Sequence, residues 1–238
     1  MSTHQNYGSG YFDDSVHGRQ FTLDMGLAGV FGLMFSALLV SAVAAWLTLS
    51  FAPLFDLVHT SPAGAFIFML LPIGFVWIVF PRVWRMPPAA AVFSLFAFAF
   101  IMGAALSYIF LVYHLGTIML AFVSAAGMFG VMAIFGAVTK SDLTKMRSIL
   151  LMGIVGAIIA TVVNVFFFAS SQLDMIISYL FLALFLGLTA YHVQNIKRQM
   201  ELGMGRAPIA IMASGALCLY LNFINTFLIL LRLMNRRR

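Results

Sequence analysis

The side chains in this sequence that could do chemistry inside apolar surroundings gather near its C-terminal end. The run CLYLNFINTFLILLR, Cys218 to Arg232, carries two amides, Asn222 and Asn225, and a hydroxyl, Thr226, amid aliphatic and aromatic residues. Ser214, Cys218, Asn222 and Thr226 recur at i, i+4, so on a helix they share one face, with Asn225 flanking it and Leu217, Leu221, Phe223 and Leu228 filling the others. His192 stands earlier, in LTAYHVQNIK, with Tyr191 and Gln194 beside it. Imidazole exchanges a proton near neutral pH, and an amide in hydrocarbon must find a polar partner. Ser214 and His192 would be the nucleophile and base of an intramembrane hydrolase. No third group is at hand to orient the base, so catalysis is not expected. Two readings stay open for the polar stripe. It either fixes helix packing through interhelical hydrogen bonds or lines a path or site within the bundle.

The elements that must carry these residues are membrane helices. Hydrophobic residues make up 63% of the 238 positions and charged residues 8%, a balance that no water-soluble surface supports. The apolar runs are continuous and do not alternate with period two, so the expected fold is an all-α membrane protein rather than a barrel. A span needs about 20 apolar residues. Seven segments meet that need: Met25 to Leu49, Ala63 to Phe80, Ala89 to Val112, Leu115 to Val138, Ile149 to Ala169, Met175 to Gln194 and Pro208 to Leu231. They predict a single seven-helix transmembrane domain over residues 23–238, preceded by a flexible cytoplasmic tail over residues 1–22. Pro72 lies within the second segment and is expected to kink it or free a carbonyl. Gly26, Gly29 and Gly32, then Ala126, Gly130 and Ala133, then Gly153 and Ala157, recur at spacings that let helix backbones approach.

Charge orients the bundle. Arg82 and Arg85 follow the second segment, Lys140, Lys145 and Arg147 the fourth, and Lys197, Arg198 and Arg206 the sixth. The connections FAPLFDLVHTSP, YHLG and SSQLD hold neither Lys nor Arg. The positive-inside rule places the N-terminus and the basic loops in the cytoplasm. The closing Arg236 to Arg238 fit that rule only if the last segment dips into the membrane and returns, whereas a full crossing sends them outside.

The same inventory excludes several classes. Every Lys, Arg, Asp and Glu falls in a loop or near a span end, which leaves no carboxylate relay and no intramembrane Lys for a Schiff base. Neither a phosphate-binding loop nor metal-spaced histidines occur, and one cysteine allows no internal disulfide. No cofactor and no metal site is expected. The net charge of +6 is explained by orientation signals and anionic headgroups without nucleic acid.

Three stretches in order carry a resemblance: AAGMFGVMAIFGAVTKSDLTKM at Ala125 to Met146, GLTAYHVQNIK before the last segment, and LYLNFINTFLILLR within it. Together they resemble the bacterial branch of the Bax inhibitor-1 family. The resemblance implies seven helices with the last one central, surrounded by the other six. It also implies a pH-sensitive calcium leak, a protective role under cell stress, and in some bacterial relatives modulation of a membrane-anchored AAA protease. The family keeps an aspartate pair where this chain has His192 and Asn222. Calcium prefers several oxygen ligands, mostly anionic. Acid neutralises a carboxylate pair but makes an imidazole cationic.

His192 and Asn222 lie at depths of roughly 7 Å and about 12 Å at 1.5 Å per residue, close enough for a hydrogen bond between facing helices. Two functions follow. One is a leak channel for calcium or another cation, with His192 and Asn222 as a modified gate or pH-sensing pair and Ser214, Asn225 and Thr226 lining the path or packing helices. The other is a non-conducting protein of the bacterial inner membrane, surrounded by lipid, that binds another membrane protein such as an AAA protease or a respiratory complex.

Overall fold

A computed structural model describes residues 10–83, 85–202 and 208–235. Among them the chain is helical, without a strand. The long helices are α1 (Gly10–Ser50), α2 (Pro62–Val83), α3 (Pro88–Leu106), α4 (Leu115–Val138), α5 (Met146–Val163), α6 (Ser171–Glu201) and α7 (Pro208–Asn235). Helix is the dictated form, because a continuous apolar run in hydrocarbon can satisfy its amides only within itself. Among the described residues six stretches are long and apolar enough to cross a membrane: Met25–Ser50, Pro88–Val112, Leu115–Val138, Leu143–Phe168, Ser171–Glu201 and Pro208–Asn235. In α2 the apolar stretch is shorter, Phe66–Val79. Pro72 is buried within α2, which continues through it.

Helix α1 starts well before its apolar run. The tail expected over residues 1–22 is therefore helical from Gly10 onward, and residues 1–9 lie outside the described residues. No proline interrupts Gly10 to Leu23, and extending a helix that already exists needs no new nucleus.

The short connections are built by named side chains. Between α5 and α6 a π-helical turn, Asn164–Phe168, ends at Ala169, whose φ of 46° is left-handed. There the buried Asn164 clamps Ser170, donating through Nδ2 to its carbonyl at 3.1 Å and accepting from its N–H at 3.1 Å. At the other end of α6 the residues read as loop charges belong to the helix. Gln194 Nε2 donates to Ser141 O at 2.7 Å while its Oε1 accepts from Leu143 N at 2.8 Å. Lys197 Nζ donates to Ala137 O at 3.1 Å, and Arg198 to Thr144 Oγ1 at 3.3 Å. Lys197 thus meets the carbonyl end of α4, where a helix is electronegative, and the other bonds tie α6 to the connection that follows α4.

Backbone-to-backbone approach falls on glycines outside the expected spacings, whereas the expected Gly26, Gly29 and Gly153 pack closely against neighbouring side chains, Gly153 against Leu184. A Cβ on Gly103 would run into the backbone of Ser41, and one on Gly136 into the backbone of Ala190. These mark the α1–α3 and α4–α6 crossings. Gly26 faces Met200 and Gly29 faces Met212, whereas Gly32 and Gly130 have nothing within 4 Å. Spacing alone could not choose among them, since it fixes which residues share a face but not which neighbour covers it.

Helix α7 is the most buried of the six spans and packs against α1, α3, α4 and α6. Phe223 and Phe227 meet Phe122 edge-on, and Phe223 also meets Phe129. Tyr220, fully buried, lies edge-on to Phe98 and its hydroxyl is 2.7 Å from Ser41 Oγ. The enclosure is by four helices rather than six. Helix α2 rests mainly on α3 and α5 mainly on α6, so a gap stays open between α2 and α5.

The end of α7 is tied to the start of α6. Helix α7 is one unbroken helix of 28 residues, and Arg232 in its last turn donates to Asp174 Oδ1 at 2.8 Å, in the first turn of α6. Asp174 precedes the basic end of α6 by the length of the whole helix. Within Pro208–Asn235 there is no break at which the segment could turn back. Arg236 to Arg238 lie outside the described residues.

Candidate functional site

The polar stripe of α7 divides into two parts with different jobs. Ser214 Oγ sits 2.7 Å from Ala210 O and 3.2 Å from Val83 O, at the end of α2. Thr226 Oγ1 donates to Asn222 O at 2.8 Å and is fully buried. Both hydroxyls return to backbone carbonyls, the usual recourse of Ser and Thr within helices. They serve packing.

Cys218, Asn222 and Asn225 instead face the gap left between α2 and α5. It forms a cavity of about 570 Å³. Helix α6 contributes Tyr191 and His192 to its wall, α5 contributes Arg147, Leu151 and Ile158, and α2 contributes Pro72, Ile73, Val76 and Trp77. His192 and Asn222 therefore look into one space, yet no hydrogen bond joins them. The imidazole lies beside the Tyr191 ring, with centroids 5.2 Å apart. Asn222 is 5% exposed, and its Nδ2 is buried with no hydrogen-bond partner. Such an orphan is costly and rare in a folded interior. The expected helix-to-helix bond is not formed; the two residues instead share the lining of one cavity.

Arg147 is the residue that sequence reasoning treated only as an orientation charge. It stands in the first turn of α5 and brings the lining its one formal charge. Neither Asp nor Glu lines the cavity. Among the described residues no three His, Cys, Asp or Glu side chains gather as a metal site would require. The wall is otherwise apolar or aromatic. Tyr220 and Ser41 are a second omission, a buried pair outside the cavity that ties α1 to α7.

A family model described as "Inhibitor of apoptosis-promoting Bax1" matches residues 23–238. The chain belongs to the Bax inhibitor-1 family. Among its relatives, an uncharacterized protein of Borreliella burgdorferi is 39% identical, with 89% of this chain and 92% of that protein covered. Inner membrane protein YbhL of Escherichia coli K12 is 32% identical over 94% of this chain and 97% of the relative. A Rickettsia prowazekii protein is 35% identical over 88% of each. These three relatives each match between 88% and 94% of this Bax inhibitor-1 member. The cavity between α2 and α5 lies inside the matched region.

Proposed function

We propose that this Bax inhibitor-1 family member is a seven-span protein of a bacterial inner membrane that does not run a carboxylate-based calcium leak and works by binding another membrane protein. The observation that carries this reading is the cavity itself. At the positions where the family resemblance implies an aspartate pair it has His192 and Asn222, and its one formal charge is the cation Arg147. Calcium takes six to eight oxygen ligands. The side chains offer it two amide carbonyls, from Asn222 and Asn225, beside a guanidinium that repels it. A second observation points the same way: past the cavity, α7 is packed by Phe122, Phe129, Phe223 and Phe227, and its last turn is tied to α6 through Arg232 and Asp174.

In this reading the N-terminus and the basic connections are cytoplasmic, α2 completes the seventh crossing, and α7 ends on the opposite side. No reaction is assigned to it, since no nucleophile, base and orienting group come together. Candidate partners are a membrane-anchored AAA protease or a respiratory complex.

The runner-up is a cation leak gated by His192 and Asn222. Family membership favours it, as does a cavity placed beside the central helix. Calcium flux into dye-loaded liposomes at about pH 6 and pH 8, for the natural protein and for His192→Asp with Asn222→Asp, separates the two. The expected result is silence from the natural protein. Flux from the double variant alone means that the path persists without its ion site, whereas a leak by the natural protein overturns the proposal in favour of the channel.

A further inference from the structure

Three features of the cavity constrain what can occupy it. The first is charge: Arg147 brings a guanidinium to the wall, and no carboxylate there offsets it. The second is the unpartnered Nδ2 of Asn222, a buried donor aimed at no protein acceptor. The third is the way in. Helices α2 and α5 line the opening with Ile73, Trp77, Leu151 and Ile158, and these large apolar side chains are 54%, 78%, 45% and 51% exposed. An entrance with such a rim faces lipid chains rather than water.

We propose that this cavity binds a single-chain anionic amphiphile drawn from the bilayer, a fatty-acid-like molecule. Its oxyanion lies among the polar groups, and its chain leaves between α2 and α5 along Trp77. A cation is disfavoured by Arg147, and a neutral hydrocarbon leaves the Asn222 amide as costly as before. An oxyanion supplies the counter-charge that Arg147 lacks, beside the amide of Asn222 on the same wall, and charge-assisted bonds are the strong ones. His192 and Asn225 add further polar contact, and the volume is within the usual range for small-ligand sites. The site is independent of whether ions pass or a protein partner binds, so a silent or leaky flux assay leaves it standing.

Trp77 provides the readout. In full-length protein carrying Trp46→Phe and Trp84→Phe, held in nanodiscs of zwitterionic lipid, brominated stearic acid is titrated and Trp77 fluorescence followed. Saturable quenching is expected, displaced by unbrominated oleate and absent with the brominated alcohol of equal length. Arg147→Gln, at an exposed position, should weaken the saturable phase about tenfold, as loss of one charge-assisted contact implies. Asn222→Leu should weaken it several-fold. Equal, non-saturable quenching by acid and alcohol means simple partitioning and overturns the proposal. Unchanged binding in both variants does the same. Displacement by millimolar inorganic phosphate would reassign the cavity to a free anion and also overturn it.

Discussion

Asn222 is an expensive residue to keep. A buried donor without a partner costs about 1–3 kcal/mol, and nothing in the fold of α7 recovers it. Replacing it with leucine removes the orphan and retains comparable bulk. Asn222→Leu is expected to raise the thermal unfolding midpoint in mild detergent, even though it impairs whatever the cavity does. A fall in the midpoint would mean that the amide is structural after all. Tyr220 behaves in the opposite way. Its hydroxyl meets Ser41, whose Oγ lies 2.8 Å from Ala99 O, so one small network joins α7, α1 and α3. Tyr220→Phe keeps the ring against Phe98 and loses one hydrogen bond, a loss of about 0.5–1.5 kcal/mol, readable in the same melting experiment. These two polar residues, two positions apart on one helix, are therefore predicted to shift stability in opposite directions. His192 and Asn222 were legible in the sequence as polar interruptions of apolar runs. Tyr220 was not, because a tyrosine in a membrane segment carries no sign of being fully enclosed.

At the level of helices, the critical contacts are backbone to backbone. Gly136 lets α4 lie directly on α6 at Ala190, and a side chain there has no flexible neighbour to push aside. Gly136→Val is expected to cost about 1–3 kcal/mol or more through overpacking, measured by thermal unfolding, while Gly130→Val, which faces open space, should be close to neutral. The contrast tests the packing rather than the glycine content. Helix α5 shows the complementary case. It leans mainly on α6 and leaves its other side to lipid and to the cavity, which is how Arg147 comes to stand at the edge of a polar space. The sequence placed Arg147 beside a span end correctly, yet only the helix arrangement shows that this end borders the cavity.

Across the whole molecule, one ion pair links the first turn of α6 to the last turn of α7. Asp174 is 9% exposed in its side chain and Arg232 is 52% exposed, at 2.8 Å. Half-exposed cations are screened by water, so the pair is worth less than a fully buried one. A double-mutant cycle on Asp174→Asn and Arg232→Gln is expected to give a coupling of about 1 kcal/mol, with each single variant less stable than the natural protein. Strict additivity would show that the pair contributes nothing. The same contact fixes the last turn of α7 against the first turn of α6.

Composition and continuous apolar runs were sufficient to determine that this chain is an α-helical membrane protein with a polar stripe on its last segment. That information is local, since hydrocarbon forces each apolar run to satisfy its own backbone. Which stripe residues look inward, toward a carbonyl or into a cavity was decided only by tertiary structure. Ser214 and Thr226 share their spacing with Cys218 and Asn222, yet Ser214 meets the end of α2 while Cys218 and Asn222 border the cavity. The spacing fixes a helix face. The standing-off of α2 and α5 leaves part of that face open, and the orphaned amide is there because of it.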